Sequence, residues 1–132
     1  LAWADEHAAD AASIAFLGFS QGGAMSLQLL RLAPERVAFA VNLSGYAAGG
    51  ALPGDAILAE TRPPVFWGRG SADEVIPESA IAHTAEWLPE HSELIGRIYP
   101  GMGHSVSQEE LTDLHHFLTL RYATPTTAAP AS

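Results

Sequence analysis

The apolar positions of this chain alternate between short solid runs and longer stretches of helical spacing. Residues 12–19, Ala-Ser-Ile-Ala-Phe-Leu-Gly-Phe, are almost wholly apolar, the pattern of a parallel strand buried on both faces. From Gln21 to Leu32 the spacing turns helical, with Ala24, Leu27, Leu30 and Leu32 free to pack, and Pro34 marks the end. Val37 to Leu43 is a second solid run, followed by a Gly- and Ala-rich loop from Gly45 to about Pro53. Pro64 to Trp67 predicts a third strand, closed by Gly68 and Gly70. Pro77 to Leu88 predicts a helix, since Pro77 suits a first turn and Ile81, Ala85 and Leu88 share one face. Leu94 to Tyr99 predicts a fourth strand. Ser107-Gln108-Glu109-Glu110 is a capping box opening a last helix striped by Leu111, Leu114 and Leu118.

Strand–helix alternation of this kind predicts an α/β fold, a parallel sheet flanked by helices. Ligands of such sheets bind beyond the carboxyl ends of the strands. The residues that follow each strand are therefore the candidates for chemistry. Residues 1–122 are expected to form one domain, and 123–132, rich in Ala, Thr and Pro, a flexible tail.

Charge narrows the partners. The net charge is −9, with no lysine and six arginines. Such a chain gains no counterion-release energy on DNA or RNA, so nucleic acid is not the expected partner. Anionic membrane surfaces are disfavoured for the same reason. No apolar run approaches the roughly 20 residues that span a bilayer. The chain has no cysteine, which excludes disulfides, thiolate catalysis and Cys-built zinc sites. A cytoplasmic location is the expectation that accords with this. Residues 1–7 are acidic, unlike the basic start of a signal peptide. The chain begins with Leu1 and reads as starting inside a helix.

Gly18-Phe19-Ser20-Gln21-Gly22 is a G-x-S-x-G motif at a strand-to-helix turn, the context that a nucleophile elbow needs. The turn would raise the Ser20 hydroxyl above the sheet, beside a helix N-terminus whose dipole favours negative charge. Glycine is expected at 18 and 22 because side chains there would collide with neighbouring elements. The Gln21 N–H would point at an oxyanion. The plainer reading is a glycine-rich turn with an N-capping serine.

A serine hydroxyl needs a base, and the base needs an orienting carboxylate. Asp73 follows the third strand, with Glu74 as its rival. His104 follows the fourth, in Gly101-Met102-Gly103-His104. The other five histidines, at 7, 83, 91, 115 and 116, fall on or beside helices and read as surface or packing residues. Ser20, Asp73 and His104 thus occur in the order used by α/β-hydrolases.

These residues resemble the phospholipase/carboxylesterase family of serine α/β-hydrolases, which includes acyl-protein thioesterases. The matching stretches are Gly18-Phe19-Ser20-Gln21-Gly22-Gly23-Ala24, Leu43-Ser44-Gly45-Tyr46, Asp73-Glu74-Val75-Ile76-Pro77 and Gly101-Met102-Gly103-His104. The likeness covers about Ala12 to Leu120. It implies an α/β-hydrolase fold and a carboxylic-ester hydrolase acting on small or short-chain esters without metal or organic cofactor. The roles carry over to Ser20, Asp73 and His104. The same residues suit an acyl thioesterase, or a non-catalytic fragment that keeps them.

Two departures stand out. Where the family has a His-Gly pair, this chain has Trp67-Gly68-Arg69-Gly70. Family members also begin with additional strands and an oxyanion loop that find no counterpart here. The strand ending at Phe19 is then expected to have an unpaired edge and uncovered apolar surface. Self-association, for example as a homodimer, would cover it.

Overall fold

The computed structural model describes residues 14–128, with side chains through residue 121. The helix expected at the start of the chain and the first two residues of the expected opening strand lie outside the described residues.

Four strands alternate with four helices: β1 (Ile14–Phe19), α1 (Gln21–Leu32), β2 (Val37–Leu43), α2 (Asp55–Thr61), β3 (Pro64–Gly70), α3 (Glu78–His91), β4 (Glu93–Tyr99) and α4 (Gln108–Ala128). The sheet is parallel throughout, in the order β1-β2-β3-β4. Strand neighbours in space are therefore also strand neighbours in sequence.

Side chains alternate across the two faces, and each face has its own core. Ala40 of β2 with Val65 and Trp67 of β3 pack against Leu27 and Leu30 of α1, Leu58 of α2 and Leu88 of α3. On the other face, Phe39, Val41 and Phe66 pack against Leu114 and Phe117 of α4. The solid apolar runs of β2 and β3 reflect this double burial. Among the described residues, no helix is long and apolar enough to cross a membrane.

Three elements differ from expectation. The short helix α2 is new; its seven residues are too few to show a helical period. It is held by Arg31, which is buried and bonds Asp55 at 2.8 Å and the carbonyls of Ala48 and Gly50. This guanidinium holds the Asp55 carboxyl below its ordinary value, against the effect of burial.

Strand β3 runs on through Gly68 and Gly70 instead of stopping at them. Gly68 pairs with Arg97, and Gly70 with Tyr99. Gly70 must be small, since a Cβ there would meet the Met102 carbonyl at 2.0 Å; a Cβ on Gly68 would lie 2.0 Å from a Glu110 carboxylate oxygen and displace that side chain. Finally, α4 continues to Ala128, past the boundary at residue 122.

β1 is an edge strand among the described residues. Leu17 and Phe19 of this strand and Met25 of α1 are 55%, 42% and 55% exposed. An apolar edge with unpaired backbone groups templates association. The 132-residue chain on its own is expected to sediment as dimers or larger species; a single monodisperse monomer in analytical ultracentrifugation would contradict this.

Candidate active site

Ser20 sits at the tip of the turn between β1 and α1, with φ 59° and ψ −119°. This is a sparsely populated conformation for a residue with a side chain, costing on the order of 1–3 kcal/mol. Two backbone bonds hold it: the Ser20 N–H donates to the Leu43 carbonyl at 2.7 Å, and the Ala24 N–H donates to the Ser20 carbonyl at 3.1 Å. The strand supplies one clamp and the helix the other.

Glycine is required at 18, where a Cβ would lie 2.0 Å from the Gly22 carbonyl oxygen. At Gly22 the expected collision does not occur: a Cβ there meets nothing among the described residues within 4 Å. The confined glycine of the helix is instead Gly23, whose Cβ would sit 2.7 Å from Asn42 Oδ1. That buried oxygen is fixed by the Gly45 N–H.

Ser20 occupies the N-cap position of α1 but makes no side-chain capping bond. Its hydroxyl lies 2.8 Å from His104 Nε2. His104 Nδ1 lies 2.8 Å from Asp73 Oδ2. Glu74 is exposed, and it is Asp73, with 2% of its side chain accessible, that reaches the imidazole.

Asp73 Oδ1 accepts from the backbone N–H groups of Val75 and Ile76. Burial works against the charged carboxylate, but His104 and these two N–H donors outweigh it and hold the carboxyl below its ordinary value. Asp73 therefore stays ionised, a fixed negative partner for one imidazole nitrogen.

The His104 loop is tied to the sheet on two sides. The Ala72 N–H donates to the Met102 carbonyl, and the Gly101 N–H to Ser71 Oγ, joining it to the Asp73 loop. Ser44, at the end of β2 with φ 55°, donates its hydroxyl to the Ser105 carbonyl at 3.0 Å. In the sequence Ser44 stands out only as part of Leu43-Ser44-Gly45-Tyr46; its positive φ and its burial are tertiary facts with no sequence signal. The Phe19 ring packs 5.0 Å from the His104 ring.

Gln21 opens α1, so its backbone N–H has no acceptor within the helix and is placed one residue after the Ser20 hydroxyl. Of the other histidines, 83 and 91 lie on α3 and 115 and 116 on α4; His7 is outside the described residues. No group of three or more His, Asp or Glu side chains that could hold a metal occurs among the described residues.

Beneath the His104 loop, the capping box is half formed. Ser107 Oγ accepts from the Glu110 N–H at 3.1 Å, while the Glu110 carboxyl lies near the Ser107 N–H but falls short of a full hydrogen bond to it. It turns inward over Gly68, fully buried, with no hydrogen bond to either oxygen among the described residues. Burial pushes it up to about 7; Asp113 adds to the effect and the Ser107 backbone opposes it. An acid whose folded-state value is raised binds more protons folded than unfolded, so stability falls as pH rises from about 4.5 to about 7. Glu110→Gln is expected to flatten that decline and to raise the thermal midpoint at pH 8; an unaltered pH profile of melting would refute a neutral Glu110.

The chain also matches known proteins. The profile of the phospholipase/carboxylesterase family matches residues 3–122. An acyl-protein thioesterase 1 from Debaryomyces hansenii is 34% identical over 117 residues, 86% of this chain and 50% of that protein. A probable carboxylesterase from Oryza sativa subsp. japonica is 33% identical over 107 residues, 76% of this chain and 39% of that protein. The crystal structure of Arabidopsis thaliana SOBER1 has the same fold, with a TM-score of 0.74 at 24% identity, covering 92% of this chain and 59% of that one. The chain thus spans about half the length of the curated relatives it matches.

Proposed function

The chain belongs to the phospholipase/carboxylesterase family of α/β-hydrolases, and from that premise we propose that it carries the Ser-His-Asp machinery of a serine carboxylic-ester hydrolase acting on small or short-chain esters. The observation that carries the proposal is the unbroken relay from Ser20 Oγ through the two ring nitrogens of His104 to Asp73, 2.8 Å at each step.

In this mechanism His104 Nε2 takes the Ser20 proton as the oxygen attacks the ester carbonyl. The tetrahedral oxyanion is met by the Gln21 N–H at the start of α1. Asp73 keeps the Nδ1–H of His104 pointed at itself and stabilises the imidazolium. His104 then protonates the leaving alcohol, and the acyl-enzyme is released by a water that His104 deprotonates. A second oxyanion donor comes, in such enzymes, from a loop preceding the nucleophile strand. Such a donor is worth about 10²–10³ in rate.

The experiment is fluorophosphonate labelling of Ser20 beside turnover of a short-chain aryl ester. Labelling with turnover supports the proposal. Labelling without turnover marks a non-hydrolytic chain that keeps the relay, and neither outcome rejects the nucleophile. A thioester substrate is a second reading, favoured by the relative named acyl-protein thioesterase 1. Rates on an ester and a thioester of the same acyl chain separate the two.

A further inference from the structure

Glu110 is a buried acid that the relay itself does not use. Its side chain is fully buried, and neither carboxyl oxygen has a hydrogen bond among the described residues. One oxygen takes the space that a side chain at Gly68 would fill. A lone charge is costly in such a place, so the carboxyl keeps its proton there.

Both attachments of the segment that follows His104 meet at this point. On one side Ser107 opens α4: its hydroxyl accepts from the Glu110 N–H, and its carbonyl accepts from the Leu111 N–H at 3.0 Å. On the other side the Gly68 carbonyl accepts from the Ser44 N–H at 2.8 Å, and Ser44 donates its hydroxyl to the Ser105 carbonyl. Ser105 follows His104 directly. The Glu110 side chain, packed over Gly68, therefore lies between the two attachments of residues 104–107.

The groups around it do not pair with a charged Glu110. Asp113, one turn along α4, accepts the Tyr99 hydroxyl of β4 at 2.7 Å and works against a second negative charge. Arg97 of β4 is the strand partner of Gly68, but its guanidinium donates to the Gly96 carbonyl. Glu109 is exposed at the start of α4, and His104 is the titratable group of the loop itself. A charged Glu110 nevertheless has a place to go. The Ser107 N–H lies near the carboxyl, and reaching it would complete the capping box. That step draws the side chain off Gly68 and toward residue 107, three residues from His104.

We propose that Glu110 is a proton-operated positioning residue for His104. With its proton on, it rests over Gly68 and the relay from Ser20 through His104 to Asp73 is closed. With its proton off, the first turn of α4 shifts and His104 is withdrawn from Ser20. The effect on Ser20 rests on the serine-hydrolase reading; the movement of His104 does not.

Two measurements on the full chain from pH 6 to pH 9 test this: the rate at which a fluorophosphonate labels Ser20, and the ring resonances of ¹⁵N-labelled His104, assigned against His104→Gln. In the parent, labelling is expected to fall by roughly tenfold from pH 7 to pH 9, as for a site that needs a protonated acid. The His104 resonances are expected to show a second step beyond the titration of the ring. In Glu110→Gln and Glu110→Met, neutral at every pH, labelling is expected to hold level over the same range and the second step to vanish. A purely structural role would change the melting temperature of the variants and leave the shape of both profiles alone. Parent labelling that stays level above pH 7, a fall that persists in a folded variant, or a parent without the second His104 step would each overturn the proposal. Failure of Ser20 to label at any pH would instead reject the hydrolase reading, and the His104 step alone then decides for or against Glu110.

Discussion

Replacing Ser20 with alanine is expected to bring fluorophosphonate labelling and the acylation burst to background and to lower kcat by on the order of 10⁶. The substitution is chemically clean here. The Ser20 hydroxyl makes no capping bond to α1, so alanine removes no helix cap. Backbone strain at φ 59° is the same for either residue, and the clamps on it are backbone groups that the change does not touch. The melting temperature should therefore barely move while the chemistry is lost. The Ser44 hydroxyl does not substitute for it, because it is committed to the Ser105 carbonyl. Unchanged turnover in this variant would end the assignment.

The second large effect is expected from Asp73→Asn, about 10⁴ in kcat. Asp73 meets its surroundings from both sides: Oδ1 accepts from two backbone N–H groups, and Oδ2 faces His104 Nδ1. An asparagine has only one accepting end. The Val75 and Ile76 donors claim it, which turns the amide NH₂ toward His104. Nδ1 must then accept, the ring proton moves to Nε2, and Nε2 can no longer take the proton of Ser20. The structure should be almost unaltered, since size and shape are conserved. Steady-state kinetics with circular dichroism checks both halves; a loss below tenfold would show that Asp73 does not set the tautomer.

Much of this site is legible in the sequence because its parts sit at strand ends. Glycine at 18, a serine after a solid apolar run, and Asp73 and His104 after later strands mark positions that the sheet order then brings together. The details set by tertiary contact are not legible. The run ending at Trp67 looks closed by Gly68 and Gly70, yet the strand continues, because those glycines answer to Glu110 and Met102 from elsewhere in the chain. The box at Ser107 and Glu110 follows a local rule, but half of it yields when Gly68 opens a place for the carboxyl. No local pattern marks Arg31; its work, holding the loop after β2 through Ala48 and Asp55, is set by tertiary contact alone. The collision expected at Gly22 belongs to Gly23, a difference of one residue that only the position of Asn42 decides.

The strand order also bears on how the chain assembles. Because each strand lies beside its predecessor, the sheet can grow by adding one short-range unit at a time, with little loop-closure entropy per step. The contact between Ser20 and His104 behaves otherwise: it joins residues 84 apart in sequence. It can form only once β1 through β4 are all in register. Reactivity at Ser20 is therefore a gauge of completed folding. A serine-directed probe should stop labelling at the denaturant concentration where the last strand leaves the sheet, even while much of the helical signal persists.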